Sequence, residues 1–307
     1  MYEELKEYTT FRLGGVCREV ASATSIANAQ AMVEKWTTEG RAWRVMGGGS
    51  NLLVADEGLP EISVLRWCME AAPSSETVRK EPAGILTVAA GMKLDALVAY
   101  ACERGWGGLE MFSGIPGTVG GGICGNAGAF GQAIGDRVVS VEVWSPEHGT
   151  HQRSGEELNF GYRTSRLQKE NQVVLGARIR VENRMTTDLQ KCREDILRLR
   201  AEKHPDVRRM GTAGSFFKNL PPETPGAQRR AAGALLEQVG AKTMREGGAH
   251  VYEKHANIVV ADADATAQDV RRLAQRLQEA VAERFGVQLE SEVRFWPEPA
   301  KSGGLNV

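Results

Sequence analysis

The sequence is short of long apolar runs, of cysteine and of aromatic side chains. Only five of its 307 residues are cysteine, and 6% are aromatic. No stretch approaches the roughly 20 apolar residues that a membrane-spanning helix requires, so no membrane association is expected. The opening segment MYEELKEYTT has neither a basic start nor an apolar core, which is not the pattern of a secretory leader. Cys17, Cys68, Cys102, Cys124 and Cys192 stand singly, without a CxxC pair. That scatter argues for a reducing, cytoplasmic setting and against a disulfide framework. Formal charge is −1, so no global basic field points to nucleic acid or an anionic surface.

Several familiar signatures are missing too. There is no GxxxxGK followed by Ser or Thr, no HExxH and no GxSxG, and at Gly47–Gly49 Leu52 stands where a GxGxxG turn would need its third glycine. The three missing motifs exclude a P-loop, a zincin and a nucleophile elbow, and Leu52 excludes a Rossmann dinucleotide turn at Gly47–Gly49. The histidines His148, His151, His204, His250 and His255 lack metal-ligand spacing, and no metal is expected. His148 and His151 read as part of a polar loop.

Glycine, by contrast, is plentiful at 35 residues, and it is densest between Gly107 and Gly131. Each glycine in a regular element costs about 0.5–1 kcal/mol relative to alanine, a cost tolerated where the backbone must turn with positive φ or admit a close neighbour. Successive amides in such a run can form an anion nest. A buried packing segment accounts for the run equally well. A second glycine cluster, Gly47–Gly49, ends the short predicted strand AWRVM and leads into Ser50 and Asn51. Free amides at a strand's carboxyl end suit a phosphate. An ordinary β-turn with Asn51 in the left-handed region accounts for the same residues.

Thr24 and Ser25 are N-cap candidates for a helix carrying Ile26, Ala29, Val33 and Trp36, which Gly40 stops. Ile62–Leu65, Ile85–Ala89, Val138–Trp144 and Val173–Val181 read as strands, and Leu94–Cys102 as a helix ending at Gly105. The polar segment Ala71–Pro82 reads as a loop or domain joint. From Asn183 glycine thins out. Leu189, Cys192, Ile196 and Leu199 mark a charged amphipathic helix that His204-Pro205 ends. Helices follow at Ala231–Val239 and Ala267–Phe285, with strands at Ile258–Val260 and Val287–Phe295. Pro297–Val307 reads as a disordered tail.

Ser215, in AGSFF, is a hydroxyl on a tight turn beside apolar rings; a plain turn serine fits as well. Glu292 and Arg294 share one face of the last predicted strand, and a surface ion pair of little worth accounts for them.

Seven blocks, in order, resemble the UDP-N-acetylenolpyruvoylglucosamine reductase (UDP-N-acetylmuramate dehydrogenase) family. They are TTFRLGG from Thr9, GGGSNLLVADEG from Gly47, SGIPGTVGGGICGNAGAFG from Ser113, FGYRTS from Phe160, AGSFFKN from Ala213, GGAHVYEKHANIVV from Gly247 and SEVRF from Ser291. The short stretch between the Tyr-Arg and serine blocks is similar to the branch lacking an extra substrate-covering loop.

The resemblance implies an α+β fold: a two-lobed FAD-binding region of the vanillyl-alcohol-oxidase (PCMH) type over residues 1–68 and 69–183, and a C-terminal α+β substrate-binding domain over 184–307. It implies a monomeric, cytoplasmic flavoenzyme of peptidoglycan precursor synthesis. Its cofactor would be FAD and its co-substrate NADPH, and it would reduce UDP-N-acetylglucosamine enolpyruvate to UDP-N-acetylmuramate. Flavin contacts carry over to Gly47, Gly48, Gly49, Ser50, Asn51, Leu52, Ser113, Gly114, Ile115, Pro116, Gly117, Thr118, Gly120, Gly121, Asn126, Ala127 and Gly128. Catalytic roles carry over to Arg163, Ser215 and Glu292, with a raised pKa implied for the glutamate. Substrate roles carry over to Tyr162, Lys218, Asn219, His255 and Arg294. Phe130, Cys124-Gly125 and His204 depart from common family residues. Two other readings compete: a same-fold FAD oxidoreductase acting on a sugar lactone or alcohol, and a non-catalytic UDP-sugar binder.

Overall fold

The computed structural model describes residues 2–224 and 226–298. The proposed tail therefore lies, from residue 299 on, outside the described residues. Two compact units emerge, one from Glu19–Gly49 and Glu61–Lys203, the other from the chain up to Arg18, Ser50–Pro60 and the chain from His204 on. Each has its own apolar core.

The first unit is built on a five-stranded antiparallel sheet. Its order is Gly149–Ser154, Val138–Ser145, Val173–Arg180, Ile85–Ala89 and Val78–Glu81. Val141 stands opposite Ala177, and Ala177 opposite Val88. The three inner strands carry Leu86, Val141, Val143, Leu175 and Ile179, all buried. Helix Ile26–Thr38 starts at Ser25, whose side chain accepts the Asn28 N–H, and it buries Ala29, Val33 and Trp36. Strand Trp43–Met46 pairs in parallel with Leu59–Arg66, Val45 opposite Leu65. Helices Leu94–Glu103, Val119–Cys124 and Thr186–Lys203 complete this unit.

Two of its strands contradict the sequence reading. Val78–Glu81 lies within the segment expected to be a loop, and Gly149–Ser154 puts His151 on a strand opposite Val143. Both are sheet edges. An edge strand is held by its backbone and can be polar on both sides, so it shows no period-two apolar signal.

In the second unit, helix Ala267–Phe285 buries Val270, Leu273, Leu277 and Val281 and begins with a Thr266–Asp269 capping box. The Asp56 carboxylate accepts from the Ala267 and Gln268 amides at 2.8 and 3.0 Å, a second anionic cap from distant sequence. A three-stranded antiparallel sheet orders as Arg245–Glu246, Ala249–Val251 and Val259–Ala261. Leu52–Val54 pairs in parallel with Arg294–Trp296. The expected strand over Val287–Phe295 is thus confined to its last residues. The preceding residues hydrogen-bond irregularly to the Phe216–Lys218 segment instead, with Phe217 bridging Ser291. Arg294 forms an ion pair with Glu298 at 3.5 Å.

Candidate functional site

In the first unit the two glycine turns meet. The Gly47–Gly49 turn leaves strand Trp43–Met46, and its left-handed residue is Gly49 at φ 61°, so the plain-turn alternative with Asn51 in that region does not hold. A methyl group at Gly47 would lie 2.5 Å from the Thr118 Oγ1, and one at Gly48 2.9 Å from the Gly117 Cα. Only bare backbone fits here. Gly114 and Gly117 also have positive φ, at 73° and 103°. This cradle of closely approaching glycine backbone fits an extended anion such as a nucleotide diphosphate.

Not every amide in the cradle is available. Val119 and Gly120 donate to the Met92 and Ala90 carbonyls at 2.8 Å each. Gly121 donates to Thr118 Oγ1, which caps helix Val119–Cys124. The Gly114 amide donates to the Asp95 carboxylate at 2.6 Å. Buried Ser113 turns its hydroxyl back on the Glu110 carbonyl at 2.6 Å. For these residues a ligand role has to come from close approach of the backbone or from shape.

The Tyr-Arg block forms a tight turn in which Gly161 and Thr164 exchange backbone hydrogen bonds. Arg163 adopts φ 56°, costly for a side-chain-bearing residue, and its Nη2 donates to the Gly128 carbonyl at 2.8 Å. Its guanidinium carbon lies 5.3 Å from the Tyr162 ring centre. Asn126 is buried at φ 45°: its Nδ2 donates to the Gly161 carbonyl at 2.8 Å and its Oδ1 accepts from Gly135 at 2.9 Å. Asn126 and Arg163 thus fasten the Tyr-Arg turn to the glycine run, with Gly128 beside both Gln132 and Arg163.

Beneath the Gly114 turn lies a charge cluster that the sequence reading missed. Arg193 grips Asp95 through two hydrogen bonds, at 2.5 and 3.0 Å. Arg200 packs its Cδ against Gly114, and its buried Nε has no hydrogen-bond partner among the described residues. Burial pushes the Arg200 pKa down, the Asp95 charge opposes that, and the Arg163 charge adds to it. On helix Thr186–Lys203 the two arginines alternate with buried Leu189 and Ile196 at steps of four, three and four. Arginine in an apolar stripe was the available signal.

In the second unit Ser215 bridges Ile258, and Phe216 donates its amide to the Asn257 carbonyl at 2.7 Å. The buried Asn257 side chain accepts from the Phe217 amide at 2.9 Å and donates to the Phe217 carbonyl at 2.8 Å. Phe216 and Phe217 are core residues, each 1% exposed. The Glu292 amide donates to the Phe216 carbonyl at 2.8 Å, which brings Glu292 alongside Ser215 in the fold. Asn51 donates to the Glu292 carbonyl. Leu52 is a buried strand residue opposite Arg294. Lys218 pairs with exposed Glu290 at 3.3 Å. Asn219 accepts the Ala232 amide at the start of helix Ala232–Gln238. His255 packs on His204 at 5.6 Å and accepts the Asn257 amide through Nδ1.

Comparison with known proteins agrees with both halves. Residues 18–155 match the FAD binding domain model, and residues 205–296 match the model for the UDP-N-acetylenolpyruvoylglucosamine reductase C-terminal domain. The UDP-N-acetylenolpyruvoylglucosamine reductase of Synechococcus sp. (strain CC9605) is 35% identical over 293 residues, covering 95% of this chain and 93% of that protein. That of Moorella thermoacetica is 36% identical over 296 residues, covering 96% and 92%. The crystal structure of the Thermus caldophilus reductase is similar with a TM-score of 0.77 at 32% identity, covering 97% and 98%. The chain therefore belongs to the UDP-N-acetylenolpyruvoylglucosamine reductase family, with an FAD binding domain joined to that family's C-terminal domain.

Proposed function

We propose that this protein reduces UDP-N-acetylglucosamine enolpyruvate to UDP-N-acetylmuramate with NADPH, as a monomer in the cytoplasm, for peptidoglycan precursor synthesis. The observation that carries the reading is full-length similarity to reductases of this name, with Arg163, Ser215 and Glu292 standing in the family's motif blocks. Bound FAD supplies the hydride relay between NADPH and the vinyl carbon of the substrate.

This chain's residues handle the charge and the proton. Hydride addition at the terminal carbon leaves negative charge on the adjacent carbon and its carboxylate. Arg163 serves as the fixed cation for that carboxylate, an interaction that strengthens as charge develops. Glu292 assists only while it holds or shares a proton, since a second anion would oppose the step. Ser215 gives its hydroxyl proton to the carbanion, which completes addition of a hydride and a proton across the double bond. Supporting this pairing, the Glu292 amide bonds the carbonyl of the residue that follows Ser215. Gly47, Gly48 and Gly117 offer the diphosphate its close backbone approach, while Tyr162, Lys218, Asn219, His255 and Arg294 serve the UDP-sugar.

The test is stopped-flow kinetics on Ser215→Ala. Flavin bleaching by NADPH should proceed within about twofold of wild type, while reoxidation by the enolpyruvyl substrate slows by at least about 100-fold, the usual scale for a lost general acid. Equal loss in both half-reactions would remove Ser215 from the proton step.

A further inference from the structure

The Gly114 turn rests on a carboxylate, although its proposed ligand is an anion. A bare carboxylate under a diphosphate would repel it. Asp95 is not bare: Arg193 holds both its oxygens, and Arg200 lies against the same glycine. Two guanidinium groups therefore stand against one carboxylate. The Asp95–Gly114 hydrogen bond, at 2.6 Å, fixes a turn residue whose φ of 73° few side chains tolerate. Replacing Gly114 with a larger residue would bring a methyl within 2.9 Å of the Arg200 Cδ, so turn and cluster fit one another closely. Ion pairs between groups 98 residues apart need a reason beyond stability, because partly buried pairs return little net energy.

We propose that Asp95, locked by Arg193, is a positioning residue for the flavin's diphosphate, and that Arg200 supplies the surplus positive charge making the Gly114 turn an anion site. The proposal rests on the FAD reading above. Asp95 takes the Gly114 amide and so sets the direction of the next peptide units. Arg193 prevents the carboxylate from turning toward the ligand. The unpartnered Arg200 Nε is the cluster's unused donor capacity.

The experiment compares two probes on apoprotein: FAD, which carries the diphosphate, and riboflavin, which carries no phosphate. Binding is followed by flavin fluorescence, and folding of each apoprotein by thermal melting. Wild type should bind FAD far more tightly than riboflavin; equal affinities would sink the flavin-diphosphate reading itself. In Asp95→Ala the FAD Kd should rise at least about tenfold, a loss of about 1.4 kcal/mol, while the riboflavin Kd stays within twofold. Arg200→Gln, which removes the charge and keeps a polar side chain over Gly114, should shift FAD in the same direction, and Arg200→Lys should recover part of the loss. A merely structural cluster would weaken both probes alike. That result, or an unchanged preference for FAD in both Asp95→Ala and Arg200→Gln, overturns the proposal.

Discussion

Asn51 holds Glu292 by its backbone: the Asn51 Nδ2 donates to the Glu292 carbonyl at 3.0 Å, and the Arg294 amide returns a hydrogen bond to the Asn51 carbonyl at 3.1 Å. The residue that follows the glycine triplet and Ser50 is thereby tied to the segment bearing the proposed carboxyl. Asn51→Ala removes the side-chain bond and keeps the backbone one. A hydrogen bond of this kind contributes about 1 kcal/mol, so reoxidation by the enolpyruvyl substrate should slow about fivefold. FAD Kd should stay within twofold if the side chain serves Glu292 rather than the flavin. Stopped-flow traces and flavin titration measure the two separately.

Gly48→Ala tests the meeting of the glycine turns. Its methyl would lie 2.9 Å from the Gly117 Cα, which is backbone and cannot swing aside. Overpacking of this sort costs about 1–3 kcal/mol, so FAD affinity should fall about fivefold to about 150-fold. The flavin-to-protein absorbance ratio of the purified protein reports it. Gly149→Ala is the contrast. It has positive φ but open space around the methyl, so it should lose some stability and keep its flavin.

Asn257→Ala should lower the urea midpoint strongly. The Asn257 side chain is buried and pairs with both backbone groups of Phe217. Its removal orphans a buried N–H and a buried C=O, at about 1–3 kcal/mol each. A shift below about 1 kcal/mol would mean that water replaces the amide.

These side chains differ sharply in how readable they were. Glycine announces the turns because positive φ and close approach admit few other residues. The helix Ala267–Phe285 announces itself by the apolar stripe of Val270, Leu273, Leu277 and Val281, and the structure begins and ends it at the expected residues. Asn257 and Asp95 announce nothing, and Arg193 shows only as a charge in an apolar stripe, since their partners lie 40 and 98 residues away and a local pattern cannot encode a distant pair. The edge strands Val78–Glu81 and Gly149–Ser154 were hidden for a related reason: their stabilisation comes from a neighbour's backbone rather than from their own side chains.

Thiol chemistry gives a check on the first unit's core. None of the five cysteines forms a disulfide. Burial, aided by the Glu110 charge, pushes the Cys102 thiol up to about 11. Burial raises Cys68 as well. The thiolate is the reactive form, so at pH 8 native protein should label at Cys124 well before Cys102 or Cys68 when treated with an aryl disulfide. Peptide mass mapping reads the order, and early labelling of Cys102 would mean the helix Leu94–Glu103 opens readily.

Acid should release the flavin through Asp95. Burial raises its carboxyl pKa, but the Arg193 hydrogen bond, the Gly114 amide and the charges of Arg193 and Arg200 outweigh that and leave it below its ordinary value. Arg193 also feels the Cys102 thiol and Glu103. A carboxyl whose pKa is depressed on folding contributes its stabilisation above its unfolded pKa and loses it as pH falls through the folded one. Flavin retention attributable to Asp95 should therefore be flat from neutrality down to the ordinary carboxylate range and fall only below it. Asp95→Asn carries no titrating group there, so its FAD Kd should be weaker at pH 7 and should lack this component of the acid fall. Fluorescence titration of released flavin from pH 7 downward compares the two curves. An acid limb of the same depth in Asp95→Asn would assign the release to another carboxyl.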